Sequence, residues 1–304
     1  MTLAEFERGS DGYRRLFGMA YRMLGAVHDA EDAVQEGFKR WQELTPEQRG
    51  LIRVPLAWLT RVISRICLDQ LGSARARRES YQGMWLPEPV PGSQWALSGS
   101  RLSPTADPAD VVTLDESVSL ALLVAMEQLT PPERVSLILH DVFQVPFGDI
   151  AEIVGRTAEA CRRLASTARR HISAQRRFDV PGPARDKVVE AFVRACLNGD
   201  VEALAAVLDP QVVSRADGGG AVAAARRPVV GAAKVAPYLL GVLGRQQVLR
   251  GAFDVTIELV NGRTGLVART GDKVVGVADL AVLDGRVAEV TLMVNPEKLT
   301  GYRG

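Results

Sequence analysis

Two short windows hold the densest chemically active side chains in the sequence. Between Arg156 and Arg177 there are seven arginines and one acid, Glu159, a net charge of +6. The spacing predicts a helix over Thr157 to Ile172, with Cys161, Leu164, Ala165, Ala168 and Ile172 on one face. Glu159, Arg162, Arg163, Ser166, Arg169 and Arg170 then face outward. Guanidinium groups clamp phosphates and bond a guanine edge through two donors, so this face suits a DNA groove. The alternative is a solvated face on an ordinary helical pair. Val27 to Glu36 is the reverse, with Asp29, Glu31, Asp32 and Glu36, no Lys or Arg, and a net charge of −4. Asp29, Asp32 and Glu36 share a helical face opposite Ala30, Ala33, Val34 and Phe38. Such a row is either solvated or a docking surface for a basic partner. A third cluster, Arg75, Arg77 and Arg78, follows a helix whose outward side is expected to carry Arg61, Ser64, Arg65 and Asp69.

Other chemistries are poorly provided for. The three cysteines (Cys67, Cys161, Cys196) and three histidines (His28, His140, His171) have no metal-ligand spacing, so no metal and no cofactor is expected. The odd cysteine count fits a reducing, cytoplasmic setting. The start MTLAEFERGSDGYRR lacks the form of a signal peptide, and no apolar run approaches the roughly 20 residues of a membrane span. The expectation is therefore no membrane and no targeting segment.

The elements that must position these residues are legible as periodic segments. Phe6 to Arg78 reads as helices, with Phe17, Tyr21 and Leu24, then Ala33, Val34 and Phe38, then Leu59, Ile63 and Ile66 recurring at three and four. Thr45-Pro46-Glu47-Gln48 and Thr130-Pro131-Pro132-Glu133 have the form of capping boxes. From Gly83 to Pro108, Gly, Pro and Ser supply 12 of 26 residues without an apolar period, the composition of a linker. Helices over Phe147 to Val154 and Thr157 to Ile172, joined through Gly155-Arg156, suggest a helix-turn-helix. Beyond Pro181-Gly182-Pro183, helices flank β-rich runs whose turns are Asn261-Gly262, Gly271-Asp272 and Asp284-Gly285. This tail reads as α+β with a curled antiparallel sheet.

Three stretches, AYRMLGAVHDAEDAVQEGFKRW (Ala20 to Trp41), PLAWLTRVISRICLDQL (Pro55 to Leu71) and LTPPERVSLILHDVFQVPFGDIAEIVGRTAEACRRLASTARRHI (Leu129 to Ile172), carry a resemblance. They resemble regions 2 and 4 of the extracytoplasmic-function (ECF) sigma factors of the sigma-70 family, and DAEDAVQE is similar to the region 2.2 signature. WLPEP (Trp85, Leu86, Pro87, Glu88, Pro89), DGGG (Asp217, Gly218, Gly219, Gly220) and NPEKL (Asn295, Pro296, Glu297, Lys298, Leu299) resemble motifs of the subgroup with a fused SnoaL-like tail.

The resemblance implies a multidomain chain: region 2, an all-α bundle, over 1–80, a linker over 81–113, region 4 with a helix-turn-helix over 114–178, and a SnoaL-like α+β cone over 185–304. It implies no enzyme in the sigma portion but a factor that directs core RNA polymerase to promoter DNA. Asp29, Asp32, Gln35 and Glu36 would dock on the clamp helices of the polymerase largest subunit, with region 4 near the flap. Arg61, Ser64 and Arg65, with the loop Pro46 to Val54, would approach the −10 element, and Arg75, Arg77 and Arg78 would add DNA contacts. Arg65 stands where many relatives have Asn. Outward residues of Ala158 to Arg170 would read the −35 element. WLPEP, DGGG and NPEKL would form contacts through which the tail regulates the sigma portion, with a small ligand in the tail as a further input. Tails of this kind include isomerases and cyclases, which makes Asp217, Tyr238 and Asp279 candidate acid–base groups. Rival readings are a stand-alone DNA-binding regulator and a DNA-binding module fused to an enzyme. A monomer is expected. The whole-chain charge of +1 argues against indiscriminate DNA binding and for affinity borrowed from the polymerase.

Overall fold

The computed structural model describes residues 10–79, 81–92, 119–175, 183–250 and 253–302. The chain forms two compact units, Met1–Ser80 with Ser93–Gln175, and Tyr81–Gly92 with Arg176–Gly304. Residues 93–118 of the expected linker and region 4 start, and the boundary at Pro181, lie outside the described residues.

The first unit is helical: α1 (Asp11–Leu24), α2 (Val27–Glu43), α3 (Pro46–Leu51), α4 (Pro55–Glu79), α5 (Leu120–Met126), α6 (Pro131–Leu137), α7 (Phe147–Val154) and α8 (Ala158–Gln175). A π-helical turn, Ile138–Val142, continues α6. Local chemistry sets the ends. Ser10 accepts from the Tyr13 amide to start α1, and Gly25 stops it in the left-handed region. Thr45 and Gln48 close the first capping box with Pro46 in the first turn, and Glu133 accepts from the Thr130 amide at 2.9 Å in the second. Gly155, at φ +69°, ends α7 and turns the chain into α8, completing the helix-turn-helix.

Leu16, Met19, Tyr21, Val34, Leu59 and Ile63 are buried in the α1–α2–α4 bundle, and Val135, Leu139, Ile150, Cys161, Ala165 and Ala168 in the α6–α8 part. Each large apolar side chain so buried contributes about 1.5–3 kcal/mol. One expectation needs correction here. Ser64 is not outward but fully buried, with its hydroxyl 3.5 Å from Met19 Sδ. The buried face of α4 is wider than the Leu59–Ile63–Ile66 stripe, because α4 packs on both α1 and α2 and also on α6 and α7.

In the second unit, α9 (Pro183–Asn198), α10 (Val201–Val207) and α11 (Ala232–Arg250) accompany β1 (Leu208–Asp217), β2 (Val229–Val230), β3 (Asp254–Val260), β4 (Arg263–Thr270), β5 (Lys273–Leu283) and β6 (Arg286–Met293). A 3-10 helix, Pro296–Tyr302, follows β6. The sheet order is β2-β1-β6-β5-β4-β3. The β3–β4, β4–β5 and β5–β6 hairpins turn at the expected pairs, with Asn261 at φ 51° and Gly262 at 76°, and Asp284 at 49° and Gly285 at 73°. Irregular register in β4–β5 and β5–β6 marks bulges that bend the strands. The sheet is α+β as expected, but β1 pairs with β6 in parallel while the other pairings are antiparallel. No tight turn joins those two strands; α11 and three hairpins intervene, and that long return permits the parallel direction. Val189, Phe192, Leu204, Val212, Leu239, Leu280 and Val290 fill the core between helices and sheet.

Candidate functional site

Four sites emerge, three in the helical unit and one in the other. On α2, Asp32 and Gln35 are exposed, and Asp29 and Glu36 half-buried. Glu36 pairs with Arg40 at 2.9 Å and Asp32 with His28 at 3.5 Å, both on the solvent side. Exposed pairs of this kind contribute about 0–1 kcal/mol, so the carboxylate row has little structural duty. Ala30, Ala33 and Val34 anchor the opposite face, which keeps the row turned out.

On α8, Glu159, Arg162, Arg163, Ser166 and Arg170 are exposed as expected. Arg163 pairs with Glu159, and the Arg162 guanidinium lies 5.5 Å from the centre of the Phe147 ring. Arg169 departs from the expectation. It makes two 2.7 Å bonds to the carboxylate of Asp141, which is only 4 % exposed. Asp141 also bonds His140 Nδ1 at 2.7 Å, and the His140 ring stacks on Phe147 with centroids 4.0 Å apart. Arg169 therefore ties α8 to the π-helical turn. Helical periodicity put it on the outer face, where Asp141 of the π-helical turn, an element distant in sequence, meets it.

The α4 arginines are also engaged. Arg61 Nη1 is 2.9 Å from Glu152 Oε2 and its Nη2 is 3.9 Å from Asp149 Oδ1, and Arg65 donates to the Glu152 carbonyl at 2.7 Å. The α4 helix runs on through Arg75, Arg77 and Arg78, whose side chains lie outside the described residues. Arg134, 3 % exposed, donates to the carbonyls of Met23 and Met126 and to Glu127. Burial pulls its pKa down to about 9, still above neutrality, so it stays a cation.

In the second unit the three subgroup motifs converge on Asp217, which is fully buried. Its Oδ1 accepts from Tyr81 Oη at 2.6 Å and the Gly219 amide at 2.9 Å; its Oδ2 accepts from the Leu86 amide at 3.0 Å and Lys298 Nζ at 2.8 Å. Lys298 also donates to the Leu86 carbonyl at 2.6 Å and lies 4.1 Å from the Trp85 ring centre. Asn295 donates to Tyr81 Oη at 2.9 Å and accepts from the Glu297 amide at 3.0 Å. Burial first, then the bond to Asp217, push the Tyr81 phenol up, so it remains a donor. Leu86, Pro87, Glu88 and Pro89 are buried, as is Leu299, while Gly218 is buried in the loop and Gly220 is exposed. A second clasp lies further along: Val90 donates to Asn261 Oδ1 at 2.9 Å and accepts from the Asn261 amide at 2.8 Å.

The acid–base candidates do not form a catalytic set. Four donors saturate the Asp217 carboxylate, Tyr238 Oη accepts from the Ala225 amide at 3.2 Å, and Asp279 lies 3.9 Å from Arg185. A cavity of about 340 Å³ lies among Phe192, Leu239, Phe253, Leu266, Val275 and Leu292, and none of the three candidates is among its described lining residues.

Sequence reasoning missed Tyr81, Asn261, Asp141, Glu152, Asp149 and Arg134. Asn261 had a signal of its own, an Asn-Gly turn, but nothing in that signal distinguishes a solvent-facing turn from one that grips another segment.

A helical bundle with an exposed carboxylate row, packed in one unit with an Arg-bearing helix-turn-helix, defines a sigma-type promoter factor. The Sigma-70 region 2 family matches residues 11–77 and the Sigma-70, region 4 family residues 119–172. The ECF RNA polymerase sigma factor SigJ of Mycobacterium tuberculosis is 38% identical over 311 residues, covering 99% of this chain and 94% of SigJ. The probable ECF RNA polymerase sigma factor SigI of the same species is 36% identical over 289 residues, covering 95% and 92%. The crystal structure of SigJ superposes with a TM-score of 0.73 at 33% identity, covering 99% of both chains. The chain belongs to the ECF RNA polymerase sigma factors, and core RNA polymerase and promoter DNA are the partners that membership implies.

Proposed function

We propose that this chain directs promoter-specific initiation with region 2 over 1–80, a linker over 81–113, region 4 over 114–178 and a regulatory tail over 185–304. Asp29, Asp32, Gln35 and Glu36 dock on the clamp helices of the polymerase largest subunit, and region 4 approaches the flap. Arg61 and Arg65, with the α3 loop and Arg75, Arg77 and Arg78, serve the −10 element, where a base is flipped from its stack at a cost of a few kcal/mol. Glu159, Arg162, Arg163, Ser166 and Arg170 serve the −35 element, with Arg169 holding the helix in place.

The tail modulates the sigma portion within the chain, through the docked segment Tyr81–Gly92. The observation that carries this is the four-donor closure of Asp217 by linker and tail groups. A small apolar ligand in the tail cavity would bias that contact by its differential affinity for two states. The protein acts in the cytoplasm, as a monomer when free.

Purified core polymerase, this chain and genomic DNA fragments test the reading together. Specific start sites and co-purification with core are expected, and failure to retain core polymerase at low salt sinks it. Cleavage near Pro181 or D217N should alter transcription from those start sites; unchanged output across both sinks the regulatory part.

A further inference from the structure

The tail cavity of about 340 Å³ is bounded by α9, α11 and strands β3 to β6. No Asp, Glu, Lys, Arg or His is among its described lining residues. Apart from the Cys196 thiol and the Asn198 amide, its walls are hydrocarbon and backbone. A buried water needs two to four polar partners, and such walls offer few. An engineered cavity of about 150 Å³ with similar walls stays dry and takes benzene. This one has room for roughly twice as much, a two-ring molecule or a chain of about ten carbons.

The exposed members of the lining sit together at the end of α9, which places the mouth there. Leu197 is 60% exposed, and Asn198 and Gly199 are exposed beside it. The Asn198 amide is thus the polar group at the entrance, and the depth of the cavity is apolar. A site of this kind takes its affinity from apolar contact and its orientation from one polar group. An ionised carboxylate or ammonium would lose its hydration there without gaining a partner, so charge is excluded.

One wall of the cavity also belongs to the Asp217 clasp. Leu292 and Val294 line the cavity. Leu292 pairs with Ala216 of β1, and the Val294 amide donates to the Asp217 carbonyl at 2.9 Å. Asn295, the next residue, donates to Tyr81 Oη at 2.9 Å. The Val294 side chain therefore faces whatever fills the cavity while its backbone is bonded to Asp217. Close-packed interiors have little slack, so a change on one side of this strand end reaches the other.

Resting on the proposed function, we infer that the tail cavity receives a neutral apolar molecule carrying one hydroxyl or carbonyl group. Its body, of two rings or about ten carbons, fills the cavity, and its polar group meets the Asn198 amide at the mouth. Occupancy tightens the hold on Tyr81–Gly92 through Val294. The filled cavity supports the Val294 side chain and keeps the end of β6 where its amide and Asn295 meet Asp217 and Tyr81; the empty cavity lets that end relax. A ligand that binds only the clasped arrangement stabilises it by its own binding free energy and no more.

Decanol and decanoate are the probes, alike in chain length, one neutral and one ionised at neutral pH. Binding to the full chain is read from alkylation of the half-buried Cys196 by N-ethylmaleimide, located by peptide mass. Burial pushes this thiol up to about 12, so the reaction is slow and is followed over hours. Cys67 and Cys161, both 0% exposed, are the internal controls. At about ten times its dissociation constant, decanol should slow Cys196 alkylation about tenfold and hydrogen exchange at the Leu86 amide by up to about tenfold. Decanoate should change neither. A268F and V255F each put a ring into the cavity from a different strand; both should abolish decanol binding and slow Leu86 exchange without ligand, the reverse of what misfolding does. V294A should keep the protection of Cys196 and lose the response at Leu86. Protection by decanoate as strong as by decanol, protection by neither, or decanol binding that leaves Leu86 exchange unchanged overturns the inference. A wild-type chain that fails to retain core polymerase overturns the proposed function instead, while alkylation and exchange still score the cavity.

Discussion

A carboxylate sealed from water must be matched donor for donor, and Asp217 is matched by Tyr81, Leu86, Gly219 and Lys298. In D217N one oxygen becomes an NH₂ group that faces donors. Breaking a buried ion pair from one side costs about 3–5 kcal/mol. Hydrogen exchange at the Leu86 and Val90 amides measures that loss directly, and it should accelerate by a hundredfold or more at Leu86, about tenfold for each 1.4 kcal/mol. Y81F removes one neutral donor and should raise the Leu86 rate only a few-fold. The sign of the pH effect follows from the raised phenol of Tyr81. Its stabilising contribution is complete below the unfolded tyrosine value of about 10 and is lost as pH climbs through the higher folded value. Tyrosinate absorbance should therefore show one late-ionising phenol that Y81F lacks. Arg169 makes a similar case in the helical unit: R169A leaves the Asp141 carboxylate buried without its clamp and should cost about 3 kcal/mol by denaturant unfolding. R163A, whose pair with Glu159 is exposed, should hardly change stability but should flatten the salt dependence of DNA binding by about 0.9 in log–log slope.

At the scale of elements, turns and caps were legible because their chemistry is local. Thr45 with Gln48, Gly155, and Asn261-Gly262 specify their geometry within four residues, and the structure has a cap or a turn at each. What was not legible depends on partners distant in sequence. WLPEP reads as a loop by composition, yet Leu86 to Pro89 are buried, with Leu86 bonded to Asp217 and Lys298. Ser64 and Arg169 both fit an outward helical position, and only the packing of α4 on four helices buries the one and only the carboxylate of Asp141 engages the other. The DGGG loop permits a clean separation of local strain from contact. G285A and G219A both place a Cβ at positive φ, 73° and 60°, but around Gly285 nothing lies within 4 Å. At Gly219 the new methyl would run into the Asn295 amide, which is itself fixed by Tyr81 and Glu297. G285A should cost about 1 kcal/mol and G219A clearly more, with accelerated exchange at Leu86 in G219A alone.

For the whole molecule, the net charge of +1 hides windows of −4 and +6, and the structure shows how much of the positive window is already committed. Arg169 is bonded to Asp141, Arg163 to Glu159, and on α4 Arg61 is bonded to Glu152. Among the described residues of the positive window, Arg156, Arg162 and Arg170 are exposed outside these ion pairs, while Arg163 and Arg169, like Arg61 on α4, meet a phosphate only after an internal pair breaks. A helix-turn-helix that neutralises six to ten phosphates shows a log–log salt slope of about −5 to −9. This chain, free of polymerase, should show a slope of only about −2 to −3 on a 30-base-pair duplex followed by fluorescence anisotropy between about 50 and 200 mM salt. In the presence of core polymerase the slope should steepen on the same duplex when it carries the start site. A slope steeper than about −6 for the free chain would mean that the internal pairs do not compete with phosphate. In that event near-neutrality would no longer explain why a factor with an arginine-rich recognition helix needs a polymerase to find DNA.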